Sequence, residues 1–499
     1  TISHDRATAK SFWSPTNSNN TGRRFCTYMP KTITVRTPRR PDLNLQSGEE
    51  LAMALSSKKP LLSSGGHVVT SRAKALGFQV HTSRQQGRPK GVFMRSSVIT
   101  LAMLASLGAA APAVAENPLK PIEVGDGVTL DPILDMRFRV ETAEQDTFPD
   151  TATSVTVRTR AGVELKANKK LSFLMEGEGT FNLEDDFNDT IPGNGIEPFP
   201  VIADPDSFEL NRMQVAYKDD KWGATVGRQR IILDDARFIG NVGWRQNEQT
   251  FDAVRANATF GPVTVDQTYA ISQRTIFGSQ SPNSNFDGEF GFTNIAADLK
   301  PVKIVAYRYD IDYDDRVAFA SETYGATISG SIPAGPLKLG AKGSYASQSD
   351  TGDNPIDYSA DYYLVEGSVT FAGFTLRGQY EVLGSDDGLQ AFQTPLSTAH
   401  KFNGYADLFL VTPATGLRDT NVRLSKKFKL APLPSGVNVQ LTYHEFDSDF
   451  GGFDYGTEFD AVVSFKISDV AILAKYGDYN TDGFGPDTTR FTIQAGISF

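Results

Sequence analysis

Arginines spaced two residues apart are the chemistry-bearing feature of this chain. In residues 222–232, Arg228 and Arg230 alternate in phase with Ala224 and Val226, so an extended strand here would place all four on one face. The same spacing recurs at Arg137 and Arg139 and at Arg158 and Arg160. A guanidinium is always charged and presents a flat fork of N–H donors that matches a carboxylate. Two of them side by side would be costly in a sealed apolar core. On a water-lined wall they are tolerated, and there they can attract and release anions. Strand parity adds Arg212, Arg255 and Arg377 to the candidate wall, balanced by Glu141, Glu164, Glu176, Glu178 and Glu381. Two roles stay open for each arginine: binding an anionic cargo, or pairing with a wall glutamate to hold the shape.

The elements that must position these residues read as strands. In residues 134–141 the apolar set Leu134, Met136, Phe138 and Val140 alternates with Asp135, Arg137, Arg139 and Glu141. Residues 155–166, 171–182, 374–382 and 437–444 repeat the pattern. Period two over about ten residues, many times over, is the signature of half-apolar strands. In residues 212–218 the pattern holds, but its phase slips near Asn211, which predicts a bulge. The connections alternate in length. Short ones fall at residues 167–169, 219–220, 261–262, 300–301, 333–336, 372–373 and 468–469, and long ones at 185–206, 233–249, 275–287 and 384–400. A transmembrane barrel has this asymmetry, with short periplasmic turns and long extracellular loops. A first count gives nineteen strands, whereas termini on one side require an even number. Residues 402–410 alternate worst, so treating 384–419 as one long external loop gives about eighteen. The fold expected is all-β, a transmembrane antiparallel barrel.

The N-terminal region is of a different kind. Residues 1–93 hold 15 Lys+Arg against 4 Asp+Glu and lack strand or helix periodicity. From Met94 a secretion signal follows: Arg95, an apolar run over 98–111, and the small-residue site Ala113-Val114-Ala115. The expected division is therefore a basic leader at 1–93 (upstream sequence), a signal peptide at 94–115, a periplasmic segment at 116–130 and the barrel at 131–499. The whole chain carries a formal charge of −10, and without the basic leader the remainder is more acidic still, which argues against a nucleic-acid partner. The mean hydropathy of −0.29 does not argue against a barrel, whose alternating strands average out. Cys26 is the only cysteine, so an intramolecular disulfide or thiolate metal cluster is excluded.

Two motifs carry a family resemblance. Gly227-Arg228-Gln229-Arg230 is followed by Asp234-Asp235, an Asn/Gly loop and Trp244-Arg245-Gln246-Asn247-Glu248-Gln249-Thr250-Phe251-Asp252. This segment, with His444-Glu445-Phe446-Asp447 near the end, resembles the alginate-export outer-membrane porins over residues 131–499. The resemblance implies an 18-stranded monomeric barrel with a narrow arginine-rich lumen that passes an acidic polysaccharide outward. Arg228 and Arg230 match its motif directly, and the other arginines are assigned by parity. The alternating final strand ending on Phe499 resembles the signal read by the barrel-assembly machinery. Expected surroundings are outer-membrane lipid and lipopolysaccharide of a Gram-negative cell. A general or substrate-specific porin for small anionic or sugar solutes is the second reading, and a non-conducting scaffold the third.

Other chemistry finds little support. Asp310, Asp312 and Asp314 begin a calcium-loop spacing, but Asp315 and Ser321 stand where that loop needs Gly and Glu. Glu184, Asp185 and Asp186 read as solvated loop charge. Beyond the signal segment the only histidines are His400 and His444, without a nucleophile motif. No catalytic residue, metal site or cofactor is expected.

Overall fold

The structure, a computed structural model, describes residues 119–431 and 433–499. The leader and the signal segment read from the sequence lie outside the described residues. Strands run in antiparallel sequence: β1 (Ile122–Gly125), β2 (Val128–Gln145), β3 (Ala152–Ala167), β4 (Leu171–Asp186), β5 (Ser207–Lys218), β6 (Trp222–Gln229), β7 (Thr250–Phe260), β8 (Val263–Arg274), β9 (Asn285–Asp298), β10 (Val302–Tyr313), β11 (Ser321–Ala334), β12 (Leu337–Asp350), β13 (Ser359–Phe371) and β14 (Phe374–Leu383). After the two-residue strands β15 (Ser385–Asp386) and β16 (Gln390–Ala391) come β17 (Leu417–Leu430), β18 (Leu433–Asp447), β19 (Asp454–Ile467), β20 (Val470–Thr481) and β21 (Thr488–Ser498). Each long strand pairs with its neighbours in order, and β2 pairs with both β3 and β21. Eighteen staves therefore close an antiparallel barrel, as the parity argument anticipates.

Closure shows why β1 exists. Ser498 pairs with Asp135, so β21 ends before the first residues of β2 gain a partner. β1 turns back on Val128, Thr129 and Leu130 and covers an edge that would otherwise present unpaired backbone groups. The sheet thus starts ahead of Asp131, where the acidic residue and Pro132 hide the alternation.

Alternation sorts each stave into two faces. Val215, Val226, Val254 and Tyr269 are exposed and lie in register across β5 to β8. Trp222 and Phe260 meet edge to face at 5.9 Å by the short turns. Exposed Tyr324, Tyr345, Tyr363, Tyr380 and Tyr443 mark the other end of the outward face. An apolar band between aromatic girdles is what a bilayer's two interfaces select. The bulge expected at Asn211 is present: Glu176 pairs with Arg212 and Gly177 with Leu210, leaving Asn211 unpaired in the ladder.

One expectation is corrected. Residues 384–419 do not project outward. Phe392, Leu396, His400, Ala406 and Phe409 are buried, and with the 233–249 loop they fill the lumen. Phe238 packs against Tyr307, Tyr362 and Phe392, with ring centroids 5.3, 5.2 and 5.8 Å away. Each fully buried apolar side chain contributes about 2 kcal/mol, and this aromatic lining of β9, β10 and β13 supplies the surface that draws the loops inward.

Candidate functional site

The loop after β6 is a belt stitched to the inner wall. Its motif residues Arg245, Gln246, Asn247, Glu248 and Gln249 are all buried. The Gln246 backbone N–H donates to Asp204 at 2.7 Å and its side chain to Thr156 at 2.7 Å. Thr180 donates to Asn247 at 2.7 Å, and the Glu248 N–H to Glu178 at 3.1 Å. Arg245 reaches Glu141 at 3.3 Å, Asp204 at 3.7 Å and Asp407 at 2.9 Å. Carboxylates this deeply buried must be paired to stay charged. Although burial opposes its charge, Glu248 is held down to about 2 by Arg160 and Arg230.

The second loop locks onto this belt. The Gly240 N–H donates to the Leu396 carbonyl at 2.9 Å, and the Thr398 N–H to the Ala236 carbonyl at 3.0 Å. A side chain at Gly240 would meet Thr398 Oγ1 at 2.3 Å and Ala236 Cβ at 2.8 Å, so only glycine permits this approach. At the junction Trp244 stacks on His400 with centroids 4.3 Å apart and planes 8° from parallel. Arg139 lies 4.3 Å over the indole and Lys475 Nζ 3.8 Å over it. His400 Nδ1 sits 2.6 Å from Asp407, and Nε2 2.9 Å from Lys475 Nζ. A neutral ring fits both contacts, donating from Nδ1 to Asp407 and accepting at Nε2 from the lysine. Burial pushes His400 down to about 4.

The junction divides the lumen. On the long-loop side is a cavity of about 620 Å³ that His400 helps to line. On the short-turn side is one of about 460 Å³, lined in part by Lys401, the next residue. The turn Ala399–Lys401 is therefore a thin septum between two vestibules.

The sequence-derived arginines scatter over this frame. Arg139 pairs with Asp204 at 3.1 Å, Arg158 with Asp135, Arg160 with Glu178, and Arg212 with Glu176 at 2.6 Å. Arg137 donates to the carbonyls of Gly243, Trp244 and Arg245 at 3.0–3.2 Å. These five face inward and build the seat for the belt. Arg255 pairs with Asp266 and Arg377 with Glu366, also on the inner face. Arg230 grips Glu248 at 2.5 Å.

Arg228 departs from the expectation. It is in register with outward Met213 and bonds Asp252 through two contacts of 2.8 Å. Asp252 lies between Phe251 and Ala253, both buried in the lumenal cluster, so Asp252 and Arg228 point to the outer face. Their side chains are 21 % and 32 % exposed, Arg228 first. Arg228 and Arg230 do not share a face because β6 ends at Gln229. Beyond that point the chain leaves the ladder, and alternation no longer predicts direction. The partners of Arg228 on the outward face, Val226 and Ala224, were the signal that could have placed it correctly.

A column of cations on the opposite staves was missed. Lys303, Lys338 and Lys342 line a cavity of about 440 Å³ at the short-turn end. Lys342, Arg377, Lys401 and Arg423 continue around the 460 Å³ vestibule. Lys303 lies 3.6 Å from Asp234 and Lys342 2.5 Å from Asp235. Among the described residues Arg423 has no carboxylate partner, and its guanidinium donates to Thr442 at 3.2 Å. One lysine on β10 and two lysines four residues apart on β12 do not carry the two-residue spacing that marks the arginine pairs.

Neither histidine bonds a hydroxyl among the described residues. His444 lies 2.9 Å from Asp419 and 3.5 Å from Asp460, in an ion-pair cluster of the wall. Glu184, Asp185 and Asp186 bring oxygens within 4.8 Å of one another but are exposed.

An eighteen-stave barrel with an apolar outer band, a polar lumen and constricting inner loops is an outer-membrane channel of the porin class, and its place is the Gram-negative outer membrane. A family model described as alginate export matches residues 130–396; the chain belongs to the alginate-export family. Solved structures share the fold at low identity. OccK9 (OpdG) of Pseudomonas aeruginosa has a TM-score of 0.60 at 13% identity, over 74% of this chain and 98% of that one. OccAB4 of Acinetobacter baumannii has a TM-score of 0.58 at 13%, over 77% and 100%. OpdK of Pseudomonas aeruginosa, solved with vanillate, has a TM-score of 0.57 at 11%, over 74% and 98%. No curated protein matches the sequence.

Proposed function

We propose that this barrel is a non-enzymatic, anion-selective channel for an acidic polysaccharide or its oligomers. The observation that carries the reading is the cation column from Lys338 through Lys342 and Arg377 to Arg423 and Lys401. Spaced cations on a low-dielectric wall lower the entry barrier for anions and let a polyanion pass from one to the next. The arginines read from the sequence divide the work: Arg377 belongs to the column, Arg255 is spent on Asp266 of the neighbouring strand, and the Arg137, Arg139, Arg158, Arg160, Arg212 and Arg230 group fixes the belt. Membership of the alginate-export family supports a uronate polymer as cargo. The barrel acts as a monomer in lipid and lipopolysaccharide, delivered by the barrel-assembly machinery through its Phe499 end.

The second reading is a porin for small anionic solutes. It is favoured by the fold shared with OpdK, whose structure holds the carboxylate vanillate. Flux into proteoliposomes separates the two. A polymer channel passes galacturonate oligomers of increasing length and discriminates against neutral maltodextrins of the same length. Passage of vanillate and monosaccharides alone, with oligomers excluded, would contradict the polymer reading and leave the small-solute porin.

A further inference from the structure

Arg316 is the residue of the long-loop vestibule that the wall does not use. It precedes the short turn Val317–Phe319. Its guanidinium lies 4.3 Å over Phe319, 4.6 Å over Phe286 and 5.6 Å from Tyr313. Rings in such positions fix the guanidinium through its faces and leave the N–H edge available. Among the described residues no carboxylate pairs with Arg316, and its guanidinium makes no hydrogen bond. The other arginines of the vestibule are committed: Arg245 to Glu141, Asp204 and Asp407, and Arg490 to Glu141 at 3.2 Å. Arg316 is thus an oriented, unspent anion receptor.

Its surroundings suit a sugar. The vestibule of about 620 Å³ presents Gln145, Asn283 and Thr394 beside the apolar rings, while Gln249, Gln273 and Gln393 in its wall are buried and bonded to protein partners. Amides and hydroxyls both donate and accept, as sugar hydroxyls require, and the volume is that of a small-molecule site. Asp315 also lines the cavity, and its charge disfavours anions that cannot engage the Arg316 fork directly.

We propose that this pocket is a uronate subsite at the extracellular end of the lumen, in which Arg316 takes the sugar carboxylate and Gln145, Asn283 and Thr394 take the hydroxyls. The proposal rests on the acidic-saccharide reading given above and adds to it a fixed exit-side station on the far side of the septum from the cation column. Binding through a charged two-pronged contact supplies a tenfold or greater preference, roughly, over a neutral sugar.

Sided block of single channels tests it. The protein, purified from outer membranes and inserted in planar bilayers with known orientation, is exposed to trigalacturonate or maltotriose on either side. Block by trigalacturonate from the loop side is expected to weaken about tenfold in Arg316→Gln, with open conductance and block from the short-turn side unchanged. Arg316→Lys keeps the charge without the fork, and Phe319→Ala keeps the arginine without its clamp. Both are expected to weaken loop-side block, and heat-modifiable migration reports that each barrel is assembled. Wild-type block that persists undiminished in Arg316→Gln would overturn the subsite and leave the acidic-saccharide channel standing. Absence of trigalacturonate block from either side of the wild type would overturn both.

Discussion

At the residue scale, the deciding fact is which charges are spent. Arg245 is surrounded by Glu141, Asp204 and Asp407, so its charge serves the packing of the belt. Arg228 is spent outside, on Asp252. On a face turned to lipid, removing one partner leaves the other charge unpaired outside water, which costs roughly 3 kcal/mol. Arg228→Ala is therefore expected to leave ion selectivity unchanged but to lower the unfolding midpoint, and Arg228→Ala/Asp252→Ala to recover most of the loss; a large loss of anion preference in planar bilayers would show that it faces the lumen after all. The sequence could mislead here because Gly227, at φ 115°, and the end of β6 two residues later break the alternation on which parity depends. Where alternation continues, as at Arg137, Arg139, Arg158 and Arg160, parity assigns the inner face correctly, but it cannot tell a wall pair from a cargo contact.

His400 gives the residue scale a pH dependence. Packed between Asp407, Lys475, Arg245 and Trp244, it is held to about 4 by burial, against an ordinary 6.5. The released loop therefore binds a proton more readily than the seated one. The sign follows: seating is at full strength above about 6.5 and is lost as pH falls from there toward about 4. Channel conductance is expected to rise over that window, and His400→Gln to flatten the rise. A conductance that does not change between pH 7.5 and 4.5 would argue that the septum does not depend on this ring.

At the element scale, the staves and the inner loops obey different physics. Staves repeat every second residue, so strand positions, the bulge at Asn211 and the count of eighteen were legible. The inner loops have no period. Their inward course is set by rings that meet only after closure, such as Phe238 with Tyr307 and Tyr362, and by the Gly240–Leu396 and Thr398–Ala236 backbone bonds. Residues 402–410 fail as a strand for this reason: Asn403 bonds Glu381 at 2.8 Å and Asp419 at 3.1 Å, and Tyr405 accepts from Gln440 at 3.1 Å, so its polar groups face lumenal partners in no regular order. Gly240→Val should force Thr398 away and separate the two loops. The expected readout is a larger, noisier single-channel conductance with a normally assembled barrel, and an unchanged trace would mean that the two loops do not close the path.

At the scale of the whole molecule, the lumen has two unlike sides. The staves β2 to β5 are sewn to the belt by paired arginines, whereas β10, β12, β14 and β17 carry the lysines and arginines that line the two short-turn-side cavities. This division could not be read from spacing, since Lys303, Lys338 and Arg423 lack the two-residue spacing of the arginine pairs and come together only when their strands pair. The most direct test is the reversal potential of the wild-type channel under a potassium chloride gradient, compared with an Arg377→Gln/Arg423→Gln double variant. Chloride is expected to be favoured in the wild type, and the double variant to lose most of that preference while still conducting. A wild-type channel that favours potassium, or one whose preference survives loss of both arginines, would contradict an anion path along the cation column.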